Sequence, residues 1–301
     1  MNSLAKSKVV VLGSTGFVGS ALLKHLQTTQ SGPVSGLHTR DLDLLSPQAS
    51  NALGEILDDQ TTLIVACRSP RHLEPFNAYD HEIAMTRNIA RCLASNSLRK
   101  CLFLSTVSVY DDTVSQANIT EMTPIQPASL YGVAKLAGEN LLSWAGKQTG
   151  TPVTVFRLCK TFGNHPGSLD YGPNSFIRSA MAEEVLDLYG DGSELRDHLF
   201  IEDLLTLVDR YVMEDFSGTF NVVSGGSHSF RQTVDWIQEY TSQNLRLQNL
   251  QRTRPKVDQS FQNDAILSRV PGFRFTKMKR AIEKTVKFYS ESGAPKLKGI
   301  S

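Results

Sequence analysis

Two clusters of residues in this chain are equipped for chemistry. The first is Gly13-Ser14-Thr15-Gly16-Phe17-Val18-Gly19, set between the apolar run Ser7–Leu12 and the helical pattern Phe17–Leu26. Gly13 can take backbone angles that a Cβ forbids. Gly16 lets the main chain approach a pyrophosphate closely, and Gly19 lets the following helix pack on the strand. The N–H groups and partial positive charge at a helix start suit phosphate. The turn, with Thr15, Phe17 and Val18 on it, is therefore a candidate dinucleotide cradle. The second cluster is Tyr131-Gly132-Val133-Ala134-Lys135. Tyr131 and Lys135 are four apart on a helical pattern, so their side chains share a face. A free tyrosine ionises at about pH 10 and is a poor base near neutrality. A neighbouring ammonium, aided by an oxidised nicotinamide, favours the phenolate. Ahead of this pair, Phe103–Tyr110 is a strand running into a hydroxyl-rich turn, which puts Thr106 at a strand's carboxyl end. A hydroxyl there can orient a reacting oxygen against Tyr131, and Ser105 or Ser108 could take the same role. Together the clusters point to hydride chemistry on an alcohol or ketone.

The elements that must position these residues follow a regular rhythm. Lys8–Leu12 reads as a strand buried on both faces. Pro33–Leu37 (strand), Pro47–Leu57 (helix), Thr62–Ala66 (strand) and Asp80–Ser95 (helix) follow, then Cys101–Leu104 (strand), Tyr131–Lys147 (helix) and Val153–Arg157 (strand). That alternation predicts an α/β fold with a doubly wound parallel sheet. Past Gly163 the rhythm fails. Gly167–Asn174 reads as loop, Ser175–Glu183 as helix, Tyr189–Gly192 as a tight turn and Phe220–Val223 as a further strand, with Ser229–Tyr240 and Lys277–Ser290 as the last helices. The expected organisation is a dinucleotide-binding domain over 1–163 plus 199–224, and a smaller, partly discontinuous substrate lobe over 164–198 plus 225–301. Ligands of such sheets sit at the carboxyl ends of the strands, where the lobe would close.

Composition narrows the partners. The 301 residues are 40% hydrophobic and 20% charged with a net charge of +1, which gives no electrostatic case for nucleic acid or a membrane surface. No apolar run approaches a membrane span, and polar residues interrupt Val9–Leu23 too early for a signal-peptide core. Cys67, Cys92, Cys101 and Cys159 show no paired spacing and read as reduced thiols of a cytoplasmic protein. No metal-ligand spacing is present among His or Cys, so no metal is expected.

These motifs, taken in order, resemble the extended short-chain dehydrogenase/reductase family, the nucleotide-sugar epimerase, dehydratase and reductase group with a Rossmann sheet. The resemblance covers nearly the whole chain. It runs through Gly13–Gly19, Ser105–Tyr110, Tyr131–Lys135 with Ala137-Gly138-Glu139, and Phe156-Arg157-Leu158 to Phe162-Gly163. It continues in Tyr189–Ser193, Arg196–Asp203 and Arg254-Pro255. It implies that Thr106, Tyr131 and Lys135 are a catalytic triad and that Arg196 and Arg254 bind the diphosphate of a nucleotide sugar. A guanidinium fork suits such oxygens, although a surface pair such as Arg196 with Asp197 is the plain alternative. Asn174 resembles a substrate contact, Asp43 and Leu44 an adenine contact, and Ala66 and Cys67 follow the third strand beside the cofactor. Three departures stand out. Val107 and Ser108 occupy places where dehydratases carry Asp-Glu; Ser108 also replaces the Cys of the epimerase-reductases, whose His partner is replaced near Tyr171. Glu82 stands where relatives often carry Asn.

NAD-binding members carry an acid roughly 20 residues past the glycine turn. Here that stretch is Gly36-Leu37-His38-Thr39-Arg40-Asp41. Arg40 could pair with a 2′-phosphate, so NADP(H) is the expected cofactor; a register shift would make Asp41 the ribose ligand of NAD(H). With dehydratase residues absent, the leading expectation is an NADP(H)-dependent reductase of a 4-keto sugar nucleotide. A 4-epimerase with tightly bound NAD is the alternative, and a non-catalytic NADP(H)-binding regulator a second. The resemblance also implies a homodimer.

Overall fold

The computed structural model describes residues 7–165, 172–241 and 245–292. Its first half is β1 (Lys8–Leu12), α1 (Phe17–Thr29), β2 (Val34–Leu37), α2 (Ala49–Ile56), β3 (Thr61–Val65), α3 (Pro75–Ser95) and β4 (Lys100–Thr106). After a short 3₁₀ turn, Val107–Val109, come β5 (Gln116–Ile119), α4 (Leu130–Thr149), β6 (Val153–Leu158) and β7 (Lys160–Phe162). The remainder is α5 (Pro173–Met181), β8 (Leu186–Tyr189), β9 (Leu195–Phe200), α6 (Ile201–Met213), β10 (Gly218–Val222), β11 (Ser227–Ser229) and α7 (Phe230–Thr241). It ends with β12 (Leu247–Leu250), β13 (Gln259–Phe261), α8 (Asp264–Arg269) and α9 (Met278–Ser292).

The parallel sheet expected from the strand–helix rhythm is present, six strands in the order β10-β6-β4-β3-β1-β2. Continuous apolar runs such as Val9–Leu12 and Leu63–Val65 are buried because helices cover both faces. Two large clusters and a small one at Leu186, Leu188 and Val234 form the core. One large cluster centres on Phe156, Leu204, Tyr211 and Ile282, the other on Leu12, Leu53, Leu93 and Phe103. The order reverses at β1, whose neighbours are β2 and β3, and the crevice beyond those strand ends is where a doubly wound sheet takes its ligand.

Several expectations shift. The helix expected from Asp80 begins at Pro75, where proline sits in the first turn and loses no hydrogen bond. The helix expected at Ser175 begins at Pro173 for the same reason. Helix α6 had no place in the pattern reading, yet it buries Leu204, Leu207, Val208, Tyr211 and Val212. Outside the main sheet, β11-β9-β7 form a three-stranded sheet, while β12-β8 and β13-β5 are two-stranded pairs. Tyr171 and most of the loop at 167–174 lie outside the described residues.

Candidate active site

The glycine turn joins β1 to α1 at the reversal point. Gly13 has φ +80°, and a Cβ there would sit 2.6 Å from the Cys67 Cα. A Cβ on Gly19 would sit 2.1 Å from the Gly13 carbonyl oxygen, so the helix can approach the turn only without one. Helix α1 starts at Gly16 with no side-chain cap and no acidic residue in its first turn. Its first N–H groups therefore face outward, with Thr15 and Gly16 exposed at the tip. These features fit a dinucleotide's pyrophosphate. Phe17 and Val18 pack partly against the core. Ala66 continues the β3 line, its N–H donating to the Leu12 carbonyl at 3.0 Å.

The loop after β2 holds Arg40 and Asp41. Arg40 is exposed, its N–H donating to His38 Nδ1 at 3.1 Å. The Asp41 carboxylate accepts from the His38 N–H at 3.0 Å and lies 3.4 Å from its Nδ1, so an acid is anchored at this corner. Asp43 accepts from the Leu45 N–H at 3.0 Å, and the Leu44 side chain is buried in the core.

Tyr131 lies in the first turn of α4, capped by Ser129, whose hydroxyl accepts from the Gly132 N–H at 3.1 Å. A developing phenolate at a helix N-terminus is favoured by the helix dipole. The helix comes this close to the Thr106–Ser108 turn because residue 132 is glycine: a Cβ there would lie 2.2 Å from the Ser108 carbonyl oxygen. Thr106 ends β4 nearly buried, its Oγ1 donating to Ser108 Oγ at 3.3 Å and accepting from the Ser108 N–H at 3.1 Å. Ser105 is committed elsewhere, donating to Glu139 Oε1 at 2.5 Å, which leaves Thr106 and Ser108 as the available hydroxyls. Glu139 also binds Arg157 through both oxygens, and Arg157 Nη1 donates at 2.9 Å to the Tyr110 hydroxyl, which donates in turn to Asn221 Oδ1. This closed network ties α4, β4, β6 and β10 together behind the site.

Lys135 lies one turn below Tyr131, fully buried. Its Nζ is 3.2 Å from Glu82 Oε2, donates to the Cys67 carbonyl at 3.3 Å and faces the Tyr131 ring at 5.9 Å. Burial disfavours the ammonium, but the Glu82 carboxylate and Tyr131 more than offset it and hold the Lys135 pKa above its ordinary value. Burial pushes the Cys67 thiol up to about 12, so it stays neutral. Arg68 lies over the outer side of Tyr131, its Cζ 5.8 Å from the ring centroid. Tyr131, Glu82, Ser69, Tyr79 and Ser129 line a cleft of about 240 Å³ between α3 and α4. Glu82 reaches this site through α3–α4 packing and Arg68 through the loop after β3; the sequence marked Glu82 by its unusual residue type and the loop Ala66-Cys67-Arg68-Ser69-Pro70 as more basic than usual, without a role for Arg68.

A second group of charged residues gathers on the small sheet. Arg196 pairs in register with His228, and Lys160 with His198. Residues two apart on a strand share a face, so Arg196, His198, Lys160 and His228 point the same way. Burial lowers the Lys160 pKa, and the positive charges of Arg196 and Arg254 lower it further. His198 is buried with no hydrogen-bond partner for either ring nitrogen among the described residues. Burial, followed by Lys160, Arg196 and His228, pushes its pKa down to about 3, so the ring is neutral. Lys160 and His198 were not singled out by spacing, although the alternation Arg196-Asp197-His198 is the signal that could have found His198.

The alternative pairing of Arg196 is corrected here. Asp197 does not pair with Arg196, because neighbouring strand residues point to opposite faces. Its carboxylate accepts from the Ser224 hydroxyl at 2.6 Å and the Gly225 N–H at 2.9 Å, while Arg196 binds Glu194 and the Val257 carbonyl. Arg252 holds the other Glu194 oxygen at 2.9 Å. Asn174 is fully buried, and its amide is spent on the Gly163 N–H and carbonyl at 3.0 Å each and on the Tyr289 hydroxyl at 3.3 Å. It clamps the backbone after β7.

Among the described residues no group of three His, Cys, Asp or Glu could hold a metal, and no helix is long and apolar enough to cross a membrane. The model of the NAD dependent epimerase/dehydratase family matches residues 9–222. The uncharacterized UDP-glucose epimerase YtcB of Bacillus subtilis is 25% identical over 224 residues, 65% of this chain and 69% of that one. A UDP-glucose 4-epimerase of Halalkalibacterium halodurans is 23% identical over 268 residues, 77% and 80% of the two chains. The fold is that of the Bacillus cereus UDP-glucuronic acid 4-epimerase solved with UDP-glucuronic acid and NAD. That structure superposes with a TM-score of 0.82 at 19% identity, covering 95% of this chain and 99% of that one.

Proposed function

The chain belongs to the NAD dependent epimerase/dehydratase family and is an enzyme of the extended short-chain dehydrogenase/reductase type; from that premise we propose that it is a nucleotide-sugar 4-epimerase acting on a UDP-hexose with NAD. The observation that carries this reading is the phenol of Tyr131, 37% exposed at the start of α4, with the Lys135 ammonium beneath it and the hydroxyls of Thr106 and Ser108 on the turn against α4. Tyr131 takes the proton of the sugar hydroxyl that is oxidised and returns it when the carbonyl is reduced. Thr106 holds the reacting oxygen, and Lys135 stabilises the phenolate. A bound nicotinamide supplies the hydride acceptor and donor. Val107 and Ser108 carry no carboxylate that could remove water, which speaks against dehydration. All three members of the triad are kept, and a regulator would have no use for them.

The expectation of an NADP(H)-dependent 4-keto reductase gives way to this reading. The relatives named above are epimerases, and NAD is the cofactor of the solved one. The anchored Asp41 carboxylate is suited to a ribose 2′-hydroxyl, whereas Arg40 points into solvent without a fixed geometry. In this reading Arg196, Arg254 and Lys160 compensate the diphosphate. The cofactor occupies 1–163 plus 199–224, and 164–198 plus 225–301 hold the sugar nucleotide. The same reading takes the protein as a cytoplasmic homodimer. Incubation with UDP-glucose and NAD, followed by proton NMR of the sugar ring, tests it: a C4 epimer is expected. No epimer from UDP-glucose or UDP-glucuronic acid, with NADPH consumed on a 4-keto sugar nucleotide instead, would overturn it.

A further inference from the structure

We propose that Glu82 is the positioning residue of the Lys135 ammonium and that its charge, acting through Lys135, sets how readily Tyr131 gives up its proton. The inference rests on the assignment of Tyr131 as the proton-transferring group and goes beyond it. Its basis is geometric. Glu82 Oε2 is 3.2 Å from Lys135 Nζ, and each side chain is 3% exposed. The other oxygen, Oε1, accepts from the Ser69 N–H at 2.7 Å and lies 3.4 Å from the Ser69 hydroxyl. The carboxylate is therefore held from both sides, by Lys135 on one oxygen and Ser69 on the other.

Two consequences follow from elementary electrostatics. An ammonium this deeply buried stays charged only with a counter-charge close by, and Glu82 is the carboxylate that supplies it. The same negative charge, on the cleft that Tyr131 also lines, cancels part of the field that Lys135 exerts on Tyr131. Other groups at this corner do not replace it. From the loop after β3, the Cys67 thiol is neutral and Arg68 lies on the outer side of the Tyr131 ring. From α3, Tyr79 shares the cleft. From β4, Phe103 presents only a ring to the ammonium, at 5.1 Å. One turn beyond Lys135 on α4, Glu139 is consumed by Arg157 and Ser105.

The pair thus does two things at once: it keeps Lys135 protonated, and it moderates the driving force for phenolate formation. Removing only the charge should separate these effects. In Glu82→Gln the amide oxygen can still accept from Ser69 or Lys135, but the opposing charge is gone, and an ionised Tyr131 becomes the main group left to compensate the buried ammonium, which draws the phenol toward its phenolate.

The test is tyrosinate absorbance against pH for the full-length protein, with and without saturating NAD, taken as the difference between each form and the same form carrying Tyr131→Phe. Glu82→Gln should move the Tyr131 ionisation midpoint to lower pH by on the order of one unit, and Glu82→Asp, which keeps the charge, should leave it within about half a unit of wild type. A midpoint unchanged or raised in Glu82→Gln overturns the proposal, as does an equal shift in Gln and Asp variants, which would mean that shape rather than charge acts. The underlying assignment fails by a different sign. In that case wild type and Tyr131→Phe would turn over a UDP-hexose at similar rates, whatever the absorbance midpoints show.

Discussion

Helix α4 carries two buried acid–base pairs on neighbouring turns, and they are built differently. Glu139 and Arg157 meet through three hydrogen bonds of 2.7 to 3.3 Å, and both are further tied to Ser105 and Tyr110. Every polar atom there is used, and the pair joins α4 to β4 and β6 as a structural rivet. Lys135 and Glu82 meet through one contact of 3.2 Å, with a carbonyl and two aromatic rings around the ammonium. A cleft opens beside Glu82 and Tyr131. The ammonium has one donor left for an incoming hydroxyl. A closed pair holds the frame; an open pair next to a phenol can take part in chemistry.

The difference predicts which substitutions damage activity and which damage folding. The largest expected effect is on turnover: Tyr131→Phe should lower kcat by about 10²–10⁴-fold while the melting temperature and NAD affinity stay near wild type, measured by steady-state kinetics, scanning calorimetry and titration. Next comes stability. Glu139→Ala leaves the Arg157 guanidinium buried and uncompensated, and should cost about 3–5 kcal/mol in denaturant unfolding. If Glu139→Ala instead left stability intact and abolished only turnover, the closed pair would be the catalytic one and the contrast would be reversed. A smaller effect is expected on the cationic face. Arg196→Ala should raise KM for the sugar nucleotide by about tenfold or more with little change in NAD binding, and Arg252 would still hold Glu194 in place. The smallest concerns the cofactor corner. Arg40→Ala should change NAD affinity less than about threefold, because an exposed side chain without a fixed partner contributes little. Asp41→Ala should weaken it more, by calorimetric titration; the opposite ranking would restore NADP(H).

The two pairs also show what the sequence could convey. The glycine turn and the four-residue spacing of Tyr131 and Lys135 are local patterns, legible because strand, turn and helix each have a period. The parallel sheet was legible for the same reason, from the uninterrupted apolar runs of β1, β3 and β4. Helix α6 has an apolar stripe as clear as any, and was lost because its start lies inside the charged run Arg196–Asp203, which drew a functional reading. The start of α3 was missed because Phe76 is exposed and breaks the apolar pattern. Strands of three residues, such as β7 and β11, carry too few positions to show a period, so the face shared by Arg196, His198 and Lys160 emerges only from cross-strand register. Pairing of Glu82 with Lys135 depends on how α3 and α4 pack across 53 residues of chain. Asn174 lies in the same class: its residue type suggested a ligand contact, and only the return of the chain past Gly163 and Tyr289 shows that its amide is already satisfied.

The most direct measurement follows the hydrogen at C4. UDP-glucose deuterated at C4 is incubated with the protein and NAD, with no reduced cofactor added, and both epimers are examined by mass spectrometry and NMR. The account predicts a C4 epimer that retains deuterium at C4, formed by wild type and abolished in Tyr131→Phe. Loss of the label to solvent, or turnover that proceeds only with added NADPH, would contradict it.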